Sequence, residues 1–231
     1  MLFRFYKKYE MIFVILLIVF YIVINSFFLN NFGLTDYRSF IVNLLFSLMI
    51  IIFIIRNKLS EYYGLASFPS FKKYLYFVPF ILIISVNIWN GINVNNTFLE
   101  IIFFMLSMVC VGFLEEIIFR GFLFKMMAKD NIKSAVIVSS LTFGIGHIVN
   151  LFHGALLVPT ILQMISAIFI GYLFAVIFIK SNSLWPCIIT HAFINAFSIF
   201  CVENTTFLYV SSVFLIVISI LYSSYLNRYV K

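Results

Sequence analysis

The run Met11–Leu29, MIFVILLIVFYIVINSFFL, holds no acidic or basic residue in nineteen positions. As a helix it would extend about 28 Å, close to the ~30 Å hydrocarbon thickness of a bilayer. The rest of the chain repeats this pattern. Its 231 residues are 64% hydrophobic, 20% aromatic and only 10% charged, where soluble domains carry about 25% charged residues. A core built from so short a chain cannot hide the apolar surplus, so it must face lipid. The mean hydropathy of +1.15 agrees. A soluble enzyme, a secreted disulfide scaffold and a disordered tail are all excluded.

Outward from this first run, apolar stretches recur at approximately 39–55, 74–88, 97–124, 134–151, 161–179, 184–201 and 207–226. Met11–Leu29 follows the basic start Arg4, Lys7 and Lys8 but has no small-residue cleavage site after it, so it reads as a retained span. The expectation is an all-α polytopic membrane protein with eight transmembrane helices. The 1–231 stretch reads as a single integral-membrane domain. With the N-terminus inside, Arg4, Lys7, Lys8, Arg56, Lys58, Lys72, Lys73, Arg120, Lys125, Lys129, Lys133, Lys180, Arg228 and Lys231 fall on one side, and only Arg38 on the other. Both termini are therefore expected to be cytoplasmic. The formal charge of +7 has the same origin, and nucleic acid is not an expected partner. Cys110, Cys187 and Cys201 are odd in number and lack a C-x-x-C spacing, so they read as packing residues.

Polar side chains inside a span cost several kcal/mol and are functional candidates for that reason. They gather on three runs. The fourth ends in Glu115-Glu116-Ile117-Ile118-Phe119-Arg120-Gly121, where Glu116 and Arg120 share a helix face at i,i+4 and can pair. Glu115, about 100° away around the helix, is left to face something else. The fifth carries Phe143-Gly144-Ile145-Gly146-His147, whose glycines admit a neighbouring helix. The seventh carries His191 and Asn195 on one face, with Pro186 marking a helix start. Each cluster alone has a bland reading: headgroup charges, a satisfied histidine, interhelical glue.

Depth joins them. Measured from the basic surface at 1.5 Å per residue, Glu115 lies at about 15 Å, His147 at about 21 Å, and His191 and Asn195 at about 17 and 23 Å. A carboxylate, two imidazoles and an amide in one layer form a catalytic inventory and imply a water-filled cavity between helices. His153 falls in a predicted outer loop, apart from this layer.

These residues resemble the three-motif pattern of the CPBP group, the CAAX proteases and bacteriocin-processing enzymes also called the Abi family. Here the pattern reads Glu115-Glu116…Arg120, Phe143…His147 and His191…Asn195, so the resemblance covers about 100–200, with the motifs inside about 113–197. It implies an intramembrane endopeptidase. Glu115 with His147 would bind and deprotonate a water, and His191 and Asn195 would donate to the oxyanion. Glu116 and Arg120 would brace the helix, with Phe143 in support. Zinc held by Glu115, His147 and His191 is the other option, but H-E-x-x-H is absent and Asn is a poor zinc ligand, so a metal-free mechanism is favoured.

The implied partners are the lipid bilayer and a membrane-associated peptide or protein substrate, prenylated in the CAAX case. The compact length and composition point to a prokaryotic cell membrane, and to maturation of a bacteriocin, leader or signalling peptide. Two alternatives stand beside this reading. One is a non-enzymatic immunity or partner protein on the same scaffold. The other is a small proton-coupled transporter, which would favour repeated halves that the sequence lacks.

Overall fold

The computed structural model describes residues 2–69, 77–202 and 204–229. Lys72, Lys73, Lys231 and the first positions of the predicted span 74–88 lie outside the described residues. The architecture is all-helical, with a lone antiparallel bridge between Ile92 and Cys201. In chain order the helices are α1 Leu2–Lys8, α2 Glu10–Phe32, α3 Tyr37–Arg56, α4 Phe77–Ser85, α5 Phe98–Glu116, α6 Ile132–Gly146, α7 Leu157–Ser181, α8 Trp185–Phe197 and α9 Thr205–Tyr229. α5 runs on through a π-helical stretch, Ile117–Phe124, and α6 runs on through a 3₁₀ turn, His147–His153.

Among the described residues six helices are long and apolar enough to cross a membrane: α2, α3, α5, α6, α7 and α9, with α5 and α6 counted through their extensions. The third and seventh predicted spans are shorter apolar helices, Val78–Ile88 and Trp185–Phe200. Their bounds follow the apolar runs read from the sequence, and side-chain amides link them: Asn87 Nδ2 donates to the Ile194 carbonyl at 2.6 Å, and Asn90 Nδ2 to that of Val202 at 2.9 Å. The two short elements thereby brace each other.

Local chemistry explains where the helices begin. Asp36 caps α3 by accepting the Arg38 N–H, and Thr97 with Glu100 forms a capping box at the start of α5. Asn131 caps α6, and Pro186 lies in the first turn of α8 as its position suggested. Two glycines set close crossings. A Cβ on Gly112 would meet the Ala192 backbone of α8 at 2.7 Å, and one on Gly144 would meet the Met164 carbonyl of α7 at 2.7 Å. α8 is thus drawn against α5, and α7 against α6.

The bundle has two unlike ends. At one, Lys129 pairs with Glu10, Tyr6 Oη lies 2.9 Å from Tyr63 Oη, and Trp185 Nε1 donates to the Leu65 carbonyl at 3.1 Å. Burial above all pushes the Tyr6 hydroxyl up to about 12, so it stays protonated and donates to Glu10. These contacts gather the starts of α2 and α8, the loop after α3 and the end of α5, and with them most of the basic residues. At the other end, His153 Nδ1 lies 2.6 Å from Asn30 Oδ1, and Asp36 pairs with Arg38 at 2.8 Å.

Candidate active site

The site forms where the last turn of α5 meets α8. Glu116 is fully buried, and its Oε1 accepts from Arg120 Nη1 at 3.1 Å and from His191 Nδ1 at 2.8 Å. The Glu116–Arg120 pair expected from the spacing is therefore present, and it has a third member. Arg120, also fully buried, lays its guanidinium over the Phe143 ring at 4.1 Å and lies 5.8 Å from that of Phe174. Phe143 meets His147 and His191 edge-on, with both ring centroids at 5.5 Å. One aromatic ring thus sets the positions of a cation and two imidazoles, which gives the phenylalanine of the second motif a physical role.

Glu115 has a different environment. Its side chain is 17% exposed, where that of Glu116 is 0%. Oε1 accepts a 2.8 Å hydrogen bond from Tyr21 Oη, and Oε2 lies 3.4 Å from His191 Nε2. Because Glu116 can only accept, His191 Nδ1 carries the proton there, and that bond fixes the ring so that Nε2 faces Glu115. Glu115 also opens onto a cavity of about 280 Å³. His147 and Asn195 line that cavity, as do Tyr21, Asn25 and Phe143. The four residues placed at one depth by sequence are thus brought around one space, but with a division: Glu115, His147 and Asn195 face the cavity, and His191 sits behind, between the two glutamates.

Three residues were missed. Tyr21 comes from α2, far from the motifs in sequence, yet makes the shortest polar contact to Glu115. A signal was available, because Tyr21 and Asn25 are i,i+4 neighbours on an otherwise apolar helix and both reach the cavity. His153, set apart as an outer-loop residue, lines the cavity too. Of the two glycines near His147, Gly144 sits in a tight crossing, while a Cβ on Gly146 would meet nothing within 4 Å.

A tetrahedral zinc site needs three protein ligands within about 2.0–2.2 Å of one point. Among the described residues no group of three His, Cys, Asp or Glu side chains converges in that way. Both nitrogens of His191 face carboxylates instead. The donor set does not fit a metal.

No curated protein and no solved structure matches the chain. A family model described as Rce1-like, type II CAAX prenyl endopeptidase, matches residues 97–197. Those residues hold all three motifs and every candidate side chain except Tyr21 and Asn25. The CPBP resemblance thus agrees with an independent match, and the 97–197 segment is similar to the Rce1-like family of CAAX endopeptidases.

Proposed function

We propose that the chain is an intramembrane endopeptidase that uses Glu115 to activate water against a peptide bond of a membrane-associated polypeptide. The observation that carries this reading is the contrast between adjacent glutamates: one is locked in a buried network, and the other faces a cavity with imidazole and amide groups around it. Residues 113–197 hold the reacting groups within one integral-membrane domain, and both termini are cytoplasmic.

In the proposed reaction a water held by Glu115 and His147 loses a proton to the Glu115 carboxylate as its oxygen adds to the scissile carbonyl. Glu115 passes that proton to His191 Nε2, 3.4 Å from Oε2. His191 is then cationic, its Nδ1–H held by Glu116 and its Nε2–H facing Glu115, and the oxyanion accepts from the Asn195 amide, which lines the cavity. As the C–N bond breaks, the proton moves to the leaving nitrogen. The products are a free carboxyl group and a free amine. Arg120 balances the charge of Glu116 throughout.

The substrate class we favour is a leader, bacteriocin or signalling peptide in a prokaryotic cell membrane. A non-enzymatic immunity role would give no use to a buried Glu–Arg–His network, which is costly to desolvate. The test is to express the wild type and Glu115→Gln at equal levels in matched membranes and to compare peptide termini by mass spectrometry. Termini that appear with the wild type and vanish with Gln support the reading and name the substrate. Identical profiles, with a phenotype that survives the substitution, would replace it with the non-enzymatic role.

A further inference from the structure

The short helix α8 carries both His191 and Asn195 and ends at Phe197. A helix end leaves its last carbonyls without intrahelical donors, and away from water other groups must meet them. The Ser198 N–H, whose α-helical partner would be the Ile194 carbonyl, bonds that of Asn195 instead, and the chain tightens into the 3₁₀ turn Ser198–Phe200. Ser198 Oγ donates to the Asn195 carbonyl as well, at 2.7 Å. The Ile194 carbonyl is met from another element. Asn87 Nδ2, in the 3₁₀ turn Val86–Ile88 after α4, donates to it at 2.6 Å.

Asn87 belongs to a strap along the end of α8. Asn90 Nδ2 donates to the Val202 carbonyl at 2.9 Å, Ile92 bridges to Cys201, and the Asn93 N–H donates to the Phe200 carbonyl at 2.9 Å. The Asn195 side chain, by contrast, lines the cavity and has no hydrogen-bond partner among the described residues. No neighbouring side chain aims it, so its direction comes from the backbone that carries it. That backbone is pinned at two places. One turn earlier, His191 Nδ1 meets Glu116 at 2.8 Å, and immediately before Asn195 the Ile194 carbonyl meets Asn87.

We infer that Asn87 is a positioning residue: by holding the Ile194 carbonyl it aims the adjacent Asn195 amide at the oxyanion. The inference rests on the endopeptidase reading for the oxyanion. It extends the working parts of the site to a segment that precedes the matched residues 97–197 and lies outside all three motifs. A donor displaced by about 1 Å can cost about 100-fold in rate, so a bond that fixes the donor's backbone acts on kcat. Asn90 supplies the contrast within the same strap. It makes the same kind of bond, but to a carbonyl farther along the chain, where it braces the fold without aiming Asn195.

The test is a double-mutant cycle. Asn87→Ala and Asn90→Ala each remove one amide at a partly exposed position, alone and together with Asn195→Ala, in the full chain. The reconstituted variants cleave a quenched fluorogenic peptide built on the site read from wild-type membranes. Asn87→Ala should lower kcat by about 10-fold with KM unchanged, and add less than about 2-fold once Asn195 is already Ala. Asn90→Ala should stay within about 2-fold of wild type. An equal loss from Asn87→Ala in both backgrounds, or an equal loss from Asn90→Ala, would overturn the inference and leave Asn87 a brace like its neighbour.

A thiol readout tests the same point without cleavage. With Cys110, Cys187 and Cys201 changed to Ser, adding Asn87→Ala should change the maleimide labelling rate of Asn195→Cys by about 5-fold or more. Asn25→Cys, on the α2 wall of the same cavity, should change by less than about 2-fold. No change at Asn195→Cys, or the same change at both positions, would overturn the inference. The endopeptidase reading fails separately, when membranes of the wild type and Glu115→Gln give the same termini; the thiol rates then still decide whether Asn87 fixes the end of α8.

Discussion

Glu115 and Glu116 are neighbours in sequence, yet they belong to different halves of the molecule. Glu116 points into the packed half, where Arg120, His191 and Phe143 enclose it and the π-helical stretch that follows is buried throughout. Glu115 faces the open half, where α2, α5, the end of α6 and α8 stand apart around a cavity of about 280 Å³. The difference teaches how a membrane protein can place a reactive carboxylate at depth. One half supplies the rigidity that holds the groups, and the other leaves open space beside Glu115. A helix turn is enough to move between them, because adjacent side chains diverge by about 100°.

The largest expected effect comes from the packed half. Glu116→Gln leaves the fully buried Arg120 charge without its counter-charge, and such a break costs about 3–5 kcal/mol. Thermal unfolding in detergent should show this loss, and an unchanged midpoint would mean that the network is not structural. Phe122→Ala removes the ring at the centre of the aromatic plug and should cost about 3–5 kcal/mol in the same measurement. A loss below 1 kcal/mol would show that the plug is loosely packed.

A change in the open half should act on rate instead. Tyr21→Phe keeps the ring, which packs 6.1 Å from Phe46, and deletes the hydroxyl that holds Glu115 Oε1. The Glu115 carboxylate then loses its shorter anchor, and kcat should fall by about 10- to 100-fold with KM little changed, the scale expected when a reacting group is misplaced. A rise in KM with kcat intact would assign Tyr21 to substrate binding. The smallest effect belongs to the rim. Lys129→Ala removes the charged partner of Glu10 at the basic end, where exposed pairs contribute about 0–1 kcal/mol, so unfolding should barely move.

Much of this division was legible in the sequence. The charge count and the long uncharged runs identified a membrane protein, and the i,i+4 spacing gave the Glu116–Arg120 pair. Depth arithmetic brought Glu115, His147, His191 and Asn195 into one layer. What escaped has physical reasons. Tyr21 contributes from a helix outside the motif segment, and a tyrosine in an apolar run counts as one more aromatic unless its i+4 neighbour is read with it. His191 lies between the two glutamates because α8 is drawn against α5 at Gly112, a crossing that spacing along one helix cannot reveal. The apolar runs of α4 and α8 were legible too, but hydropathy alone did not show that they are too short to be counted as membrane-crossing helices.

The most direct test of the central claim is single-turnover cleavage of a substrate peptide by purified, reconstituted Glu115→Gln, with folded protein matched to wild type by unfolding midpoint and amount. We expect the midpoint to stay within the wild-type range and the cleavage rate to fall by about 10²- to 10⁴-fold, the contribution of a positioned general base. Cleavage at the wild-type rate by the folded variant would contradict the assignment of Glu115 as the group that activates water.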